Sequence, residues 1–342
     1  MAKETSSNNR LFQLVAVIIL LAAILVGLIW YYQKTTKPKF DLEAKIPAGI
    51  KHIMSIYGPG AGDNFDKPES AALDEDGNIY VADTGNDRIA VFDGNGSSLR
   101  TFGSKKTTPV PLGVAVSKSG RVYVTSLMQR QISILDTEGK LLKTVKFTKK
   151  EETPLKILIN GNKLYITAIG QIMIADMDGN IEKRWGKEGR NLGDYRYPNG
   201  IAVGRVGKLK KAIVVSDSNN NRLQILNMSG KPVMYLGQPP KNLKDETLLF
   251  GLPTGLTMDD EGYVFVVDTF NHAIRIFDNQ GNDLGQLGKQ GSADGNYFYP
   301  SDIKLISGNR FIITDKWNDR VQICELTVGD AKKAKTTSKP NH

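Results

Sequence analysis

One spacing of an acidic, an amide and a basic side chain recurs along the sequence, and side chains of these types can support acid–base or ion-binding chemistry. The spacing is Asp-x-x-Asn-x-Arg. Three segments contain all three residues and a fourth has Ala273 in place of the arginine: Asp83, Asn86 and Arg88; Asp217, Asn220 and Arg222; Asp315, Asn318 and Arg320; Asp268 and Asn271. A side chain that appears in most units of a repeat protein serves the shared architecture, whereas a catalytic group is needed once. We therefore interpret these residues as structural, with the Asp accepting hydrogen bonds from turn amides and the Arg pairing with a carboxylate of a neighbouring repeat.

Other residues with reactive side chains are scarce. The sequence has one cysteine, Cys324, and three histidines, so an internal disulfide and a cysteine-rich zinc site are excluded and a histidine-rich catalytic metal site has little support. His272 lies in a polar turn, and we expect it to be a turn residue. Acidic turns such as DEDG at 74–77 lack the calcium-binding spacing of an EF-hand loop. We assign no catalytic or metal-binding residue from the sequence.

The elements that position these residues repeat six times. Each unit begins with a proline and an apolar segment, followed by a second strand-like segment, a polar turn, a third strand and a short fourth strand. The six prolines are spaced 43 to 55 residues apart: Pro68, Pro111, Pro154, Pro198, Pro253 and Pro300. Asp and Gly occupy the turns between the strands, as is typical of hairpins. Six such units predict an all-β, six-bladed β-propeller over residues 51–326.

The two ends of the repeat region predict how the ring closes. The last unit ends after its third strand, at about residue 325, without a fourth. A strand-like segment of the missing type, HIMSIYG, occurs at residues 52–58, before the first complete unit. We expect this N-terminal strand to pair with the C-terminal blade and close the ring through backbone hydrogen bonds.

The repeated pattern resembles the NHL repeat. The resemblance covers about residues 52–326 and is based on the proline-led first strand, the Asp-x-x-Asn-x-Arg turn and the Phe-Asp-x-x-Gly hairpin. The second unit departs from it with Ser126, Gln129 and Gln131, and the third has Ala168 and a shortened turn. The resemblance implies a six-bladed propeller of the NHL/TolB-like class. Propellers of this family bind partners in receptor-type kinases and other multidomain proteins, and some animal members bind RNA. Related six-bladed propellers include lyases and lactonases with a metal ion in the central channel.

Chain direction predicts two different faces for such a ring. The turns between second and third strands and the connectors between blades lie on one side, which we call the loop face; the short Asp/Gly hairpins lie on the other, the hairpin face. Aromatic residues of the long connectors follow two patterns. Phe65, Tyr195 and Tyr297 match the ordinary connector of the repeat, and we expect them to fill gaps between blades. Other residues are not required by the repeat and are our candidates for binding a ligand or partner: Tyr197, Tyr299, Trp317, Phe270 and Arg190.

The distribution of charge argues against a nucleic-acid partner. The whole sequence has 45 basic and 36 acidic residues, a net charge of +9. Much of the excess lies at the ends, since residues 1–51 have seven basic and three acidic groups and residues 327–342 have four lysines and one aspartate. The region between has 34 basic and 32 acidic groups. Binding to phosphates needs clustered cations, which so balanced a region does not supply. Residues 327–342 are predicted to be a basic, disordered tail.

A membrane partner is predicted by residues 11–32. This segment has 22 residues and no charge, and it ends in Trp30, Tyr31 and Tyr32. A helix of this length spans roughly 33 Å, enough to cross a bilayer core of about 30 Å. Bulky aromatics at its end favour an uncleaved signal anchor over a cleaved signal peptide.

Residues 1–10 are then a short N-terminal tail and residues 33–50 a linker. The flanking lysines favour a cytoplasmic C-terminal side, but anchors of this kind usually export their domain, so we expect a single-pass protein with an extracytoplasmic propeller.

These observations lead to two hypotheses about function. The first is a membrane-anchored propeller that acts as a binding or scaffold module through its loop face, has no catalysis of its own, and recognises a protein or glycan partner. The alternative is a metal-dependent lyase or lactonase with a calcium ion in the central channel. The sequence favours the first hypothesis and no cofactor, because it offers no set of histidines for a metal.

Overall fold

Six antiparallel sheets of four strands each make up the part of the chain that the structure describes. The structure is a computed structural model of the 342-residue chain, and it describes residues 46–237 and 248–329. Residues 46–329 form one compact unit. Each sheet is one blade, and in blades 1 to 5 the four strands follow one another in sequence order. The prediction of an all-β, six-bladed propeller is confirmed.

The strand bounds follow the repeats. Blade 1 has β2 (Pro68–Leu73), β3 (Ile79–Asp83), β4 (Arg88–Phe92) and β5 (Ser98–Phe102). Blade 2 has β6 (Pro111–Val116), β7 (Arg121–Ser126), β8 (Gln131–Asp136) and β9 (Leu141–Lys146). Blade 3 has β10 (Pro154–Asn160), β11 (Lys163–Ala168), β12 (Gln171–Ala175) and β13 (Ile181–Trp185). Blade 4 has β14 (Pro198–Val206), β15 (Leu209–Asp217), β16 (Arg222–Asn227) and β17 (Pro232–Gly237). Blade 5 has β18 (Pro253–Met258), β19 (Val264–Asp268), β20 (Ala273–Phe277) and β21 (Asp283–Leu287). Blade 6 has β22 (Asp302–Ser307), β23 (Arg310–Asp315), β24 (Arg320–Gly329) and β1 (Ile46–Ile56).

The first strands of the blades surround the central axis. Each of β2, β6, β10, β14, β18 and β22 contacts the first strand of the next blade, and β22 contacts β2 to complete the circle. Short 3-10 helices join the second strand to the third in four blades: Thr84–Asn86, Ser218–Asn220, Thr269–Asn271 and Lys316–Asn318. A further 3-10 helix, Lys150–Glu152, precedes blade 3. These turns and the connectors between blades form the loop face.

Pairing of β1 with β24 closes the ring, as the sequence predicts. His52 lies opposite Cys324 and Ile56 lies opposite Val321 in an antiparallel register. Both strands extend beyond the expected bounds of 51–326, because Ile46 at the start of β1 pairs with Gly329 at the end of β24. Strand β1 therefore begins within the expected linker, and β24 includes the first residues of the expected tail, since each end supplies backbone partners for the other.

The predicted membrane helix lies outside the described residues. Residues 46–237 and 248–329 contain no helix that is long and apolar enough to cross a membrane. The predicted span at residues 11–32, the N-terminal tail before it and residues 330–342 of the expected tail are not among them.

The interior lies between the blades. Phe65 is buried between blades 6 and 1, where its ring meets Phe92 edge-on at 5.7 Å between centroids and packs in the same cluster as Ile312. Tyr195 and Tyr297 are fully buried in the corresponding clusters between blades 3 and 4 and between blades 5 and 6. The connector aromatics thus fill the gaps between blades, as predicted. Burial of apolar surface on both faces of each sheet stabilises the ring.

The Asp-x-x-Asn-x-Arg residues fasten each turn to the connector before its own blade. In blade 1, Asp83 Oδ1 accepts the Asp66 N–H at 2.8 Å, and its Oδ2 accepts hydrogen bonds from Asn86 at 2.9 Å and Arg88 Nε at 2.7 Å. The same pattern occurs at Asp217 and Asp315. The expected pairing of the arginine with a neighbouring repeat is wrong: its main partner is the aspartate of its own motif, because adjacent strands β3 and β4 place the two side chains together.

Candidate functional site

A pocket of about 540 Å³ opens on the loop face, next to the first strands of four blades. Its floor comes from the start of these strands, and its walls come from the 3-10 turns and connectors of blades 5 and 6. The residues that line it are Glu69, Asn199, Leu252, Thr254, Thr269, Phe270, Phe298, Tyr299, Ser301, Lys316 and Trp317. A cavity of this size is within the range of roughly 300–1,000 Å³ that is typical of small-ligand sites.

Three of the five residues proposed from the sequence come together here. Phe270, Tyr299 and Trp317 line the pocket, and Phe270 and Trp317 remain 57% and 52% exposed. Tyr197 lies at the start of blade 4, where its N–H donates to the Ile169 carbonyl at 2.9 Å, and it does not line the pocket. Arg190 is exposed on the connector before blade 4, away from the lining.

Four aromatic rings form one continuous surface, which we call the aromatic wall: Phe270, Phe298, Tyr299 and Trp317. Tyr299 is its centre, with ring centroids 6.1 Å from Phe270, 4.9 Å from Phe298 and 5.8 Å from Trp317. Edge-to-face and tilted contacts of this kind are favourable beyond the area they bury. The ammonium of Lys67 lies 5.9 Å from the centroid of the Trp317 ring.

His272 fixes the position of Tyr299. Its Nδ1 accepts the backbone N–H of Tyr299 at 3.0 Å, and its ring stacks on Phe298 at a centroid distance of 5.5 Å. Both His272 and Tyr299 have the left-handed backbone conformation, with φ of +52° and +46°. Burial lowers the pKa of His272, and the nearby Asp315 carboxylate opposes this shift. A neutral imidazole is the form that can accept a hydrogen bond at Nδ1.

The same bond between blades recurs elsewhere with an aspartate, and we call it the blade latch. Asp87 Oδ1 accepts the Val110 N–H at 2.7 Å, joining blades 1 and 2, and Asp319 Oδ1 accepts the Lys67 N–H at 2.8 Å, joining blades 6 and 1. These residues occupy the position of His272 in their own repeats, directly after the 3-10 turn. The sequence predicts His272 only as a turn residue. An alignment of the repeats places His272 at the position of Asp87 and Asp319, one residue after the motif asparagine. That alignment would have indicated that His272 accepts a hydrogen bond from the next blade.

The polar floor of the pocket was not predicted. Glu69, Asn199, Thr254 and Ser301 each directly follow the proline that opens a first strand. Thr254 shares a hydrogen bond of 2.8 Å with Thr269, whose hydroxyl is also 2.8 Å from the Pro300 carbonyl oxygen. The sequence does contain an indication of this floor. The residues that follow the repeat prolines occupy equivalent positions in the blades, so they lie around the central axis at the same level.

The one carboxylate of the floor is paired with two lysines. Glu69 Oε2 lies 2.5 Å from Lys316 Nζ, and Glu69 Oε1 lies 3.5 Å from Lys156 Nζ. Lys156 is 6% exposed, and its ammonium also donates to the backbone carbonyls of Glu69 at 2.7 Å and Leu112 at 2.9 Å. Burial lowers the pKa of Lys156, and the carboxylates of Glu69 and Asp302 oppose the shift. Because a carboxylate and two carbonyls surround the ammonium, we assign it the charged form.

The residues around the axis do not fit a calcium ion. Lys156 extends from blade 3 to the first strands of blades 1 and 2, so a side-chain cation already occupies the place where these oxygens converge. Next to it, Asp302 Oδ2 accepts a hydrogen bond of 2.6 Å from Ser70. Within residues 46–237 and 248–329 no three His, Cys, Asp or Glu side chains are grouped in a way that could hold a metal ion. A calcium site needs several oxygen ligands without a competing cation.

Comparison with known proteins identifies the repeat. The sequence model of the NHL repeat matches residues 65–92, which form most of blade 1 together with the connector before it. The described chain is a six-bladed propeller whose first blade contains an NHL repeat. A stretch of 118 residues, 34% of the chain, is 30% identical to protein brain tumor of Drosophila melanogaster and covers 10% of that protein.

Solved structures with a similar fold include enzymes of different kinds. The NHL-repeat propeller matches virginiamycin B lyase of Staphylococcus aureus with a TM-score of 0.57 and 13% identity, over 81% of this chain and 100% of the lyase. It matches XC5397, a gluconolactonase of Xanthomonas campestris, with a TM-score of 0.58 and 15% identity, over 83% of this chain and 97% of that one. At these identities the likeness concerns the fold alone.

Proposed function

We propose that this NHL-repeat propeller is a binding module that recognises a ligand or partner through the loop-face pocket and performs no catalysis of its own. The observation that most supports this is the meeting of Phe270, Tyr299 and Trp317 above a polar floor. Two of these side chains are large, apolar and more than half exposed, although the repeat does not require them. Exposed aromatic surface beside a cavity is typical of recognition sites.

The chemistry of the pocket favours binding over catalysis. Among the residues that line it, the titratable groups are Glu69, Lys316 and Tyr299, and the first two are paired with each other. His272 lies behind the wall, largely buried, with its Nδ1 bonded to a backbone amide. General acid–base catalysis needs a titratable group within hydrogen-bond reach of the substrate. A lyase or lactonase reaction through a metal ion has no support here, because Lys156 fills the position near the axis.

We further propose that residues 11–32 anchor the propeller to a membrane as a single span, with the propeller outside the cytoplasm. The apolar length of this segment and its terminal aromatics support the anchor. Strand β1 begins at Ile46, where it pairs with Gly329 at the end of β24, on the hairpin face.

Site-specific photocrosslinking in native membranes tests the binding site. A photoreactive phenylalanine analogue at position 270 or 317 should produce crosslinked products. Met128 provides the matched control, because it occupies the same turn position in blade 2, is 70% exposed and does not line the pocket. Crosslinking at 270 and 317 and not at 128 supports the proposal. Equal crosslinking at 128, or none at either pocket position, contradicts it.

A further inference from the structure

We propose that the loop-face pocket takes a saccharide without net charge; this rests on the proposed function of the same pocket. The inference depends on three features of the pocket: exposed aromatic rings, uncharged polar groups without a partner in the part of the chain that the structure describes, and a carboxylate that lysines neutralise. Sugar rings combine apolar C–H surfaces with many hydroxyls, so they match all three features.

The aromatic wall supplies the apolar contact. Phe270 and Trp317 present exposed ring surface on either side of Tyr299. The face of an aromatic ring has partial negative charge, and the C–H bonds on one side of a pyranose ring have partial positive charge, so the two attract when stacked. A flat side chain such as Trp317 fits the face of one sugar ring.

The polar groups of the pocket need a ligand with both donors and acceptors. Three of them lack a hydrogen-bond partner among residues 46–237 and 248–329: the side-chain amide of Asn199, the hydroxyl of Tyr299 and the indole N–H of Trp317. An apolar ligand would exclude water from these groups and leave them unpaired, which is unfavourable for a polar group that becomes buried. Sugar hydroxyls donate and accept, and can pair with all three.

The charges around the floor disfavour an ionic ligand. A cation would need a free carboxylate, but Glu69 is paired with Lys316 and Lys156, and Lys67 lies over the Trp317 ring. An anion would need a free cation, but Lys316, the one lysine of the lining, lies 2.5 Å from Glu69 Oε2. A neutral ligand leaves these pairs intact. The volume of about 540 Å³ suits a short saccharide or the end of a longer one.

The test uses the purified full chain and an array of immobilised neutral and acidic glycans, together with choline and an uncharged tetrapeptide as probes of the other ligand classes. Saturable binding of a neutral glycan is expected, and titration calorimetry of the soluble glycan should give the dissociation constant. Trp317→Ala and Asn199→Ala should each weaken binding by about tenfold or more. Met128→Ala is the matched control and should bind like the unmodified chain. Thermal unfolding of the variants establishes that they are folded.

The outcomes separate the saccharide class from the proposed function. Binding of a neutral glycan that depends on Trp317 and Asn199 supports both. Binding of choline, the peptide or acidic glycans alone, lost in Trp317→Ala, overturns the saccharide class and leaves the pocket as a binding site. Glycan binding that neither substitution weakens places the site elsewhere and overturns both. A failure of every neutral glycan to bind overturns the saccharide class.

Discussion

Protonation of His272 should weaken the latch that holds the aromatic wall. The neutral ring accepts the Tyr299 N–H at Nδ1, at 3.0 Å. Burial lowers the pKa of His272 below its ordinary value of 6.5 in the folded chain. When the pH falls past the ordinary value, the unfolded chain binds a proton before the folded chain does. The free energy of unfolding should therefore be highest above this pH and fall as the pH is lowered through the pKa of the folded state.

The size of the effect follows from the bond that is lost. An imidazolium has a hydrogen on both nitrogens, so the Tyr299 N–H loses its acceptor. It then faces the Nδ1–H of His272, and two donors repel each other. Leaving one buried donor unpaired costs about 1–3 kcal/mol. Urea unfolding at a series of pH values between about 5 and 8 measures this change, since the free energy falls linearly with urea concentration. The charge of the Asp315 carboxylate raises the pKa of His272 and so opposes part of the effect.

Two variants make this prediction specific. His272→Asn keeps an acceptor oxygen at the same position and does not titrate, so it should remove this part of the pH dependence. The comparison with blades 1 and 6 supports this, because Asp87 and Asp319 make the same bond through a side-chain oxygen. Met128→Ala, at an exposed turn of blade 2, changes no titratable group and should leave the pH dependence unchanged. An equal pH dependence in His272→Asn and the unmodified chain would refute the role of the latch.

Three further predictions concern the ring itself. Arg222→Met leaves the buried Asp217 carboxylate without its guanidinium and should lower the free energy of unfolding by about 3–5 kcal/mol. Arg121→Met, at an exposed pair with Asp178, should leave the free energy of unfolding nearly unchanged in the same urea titration, and equal losses in the two variants would contradict the structural role of the motif. Lys156→Met leaves the backbone carbonyls of Glu69 and Leu112 without their donor and should clearly lower the midpoint of thermal unfolding. An unchanged midpoint would show that the Lys156 ammonium does not stabilise the propeller. Deletion of residues 1–33 should leave a folded propeller, whereas deletion of residues 1–56 removes β1 and should abolish cooperative unfolding in calorimetry; a cooperative transition without β1 would show that the ring closes by other means.

The fold was predictable because its signals are local and repeated. Each blade repeats the same turns, in which an aspartate such as Asp93 accepts the amides of the next residues and Gly96 has a φ of +81°. Six copies of such a pattern specify a propeller even though single copies are weak signals. Closure by β1 was predictable because the last repeat lacks a strand that the N-terminal segment supplies. The partner of the motif arginine was misassigned, because the repeat pattern does not show which carboxylate lies nearest.

The site was predictable only in part. Phe270, Tyr299 and Trp317 depart from the repeat and were proposed for that reason; the structure brings them together at the pocket, and their role in binding stays a prediction. Tyr197 and Arg190 depart from it too, but they lie at blade 4, outside the part of the face where blades 5 and 6 form the wall. Contacts around the axis join residues far apart in sequence, such as Lys156 and Glu69, 87 positions apart. Composition and spacing do not specify such contacts, so the cation near the axis and the floor were missed.

Hydroxyl-radical footprinting of the full chain, in native membranes and after purification, tests the central claim most directly, because it needs no knowledge of the ligand. If the loop-face pocket is the binding site, Trp317 and Phe270 should be oxidised less in membranes than in the purified chain. Met128 and Tyr235, which are exposed outside the pocket, should be oxidised equally in both. Equal oxidation of Trp317 in the two samples, with protection of Tyr235 on the outer strand of blade 4, would contradict the account.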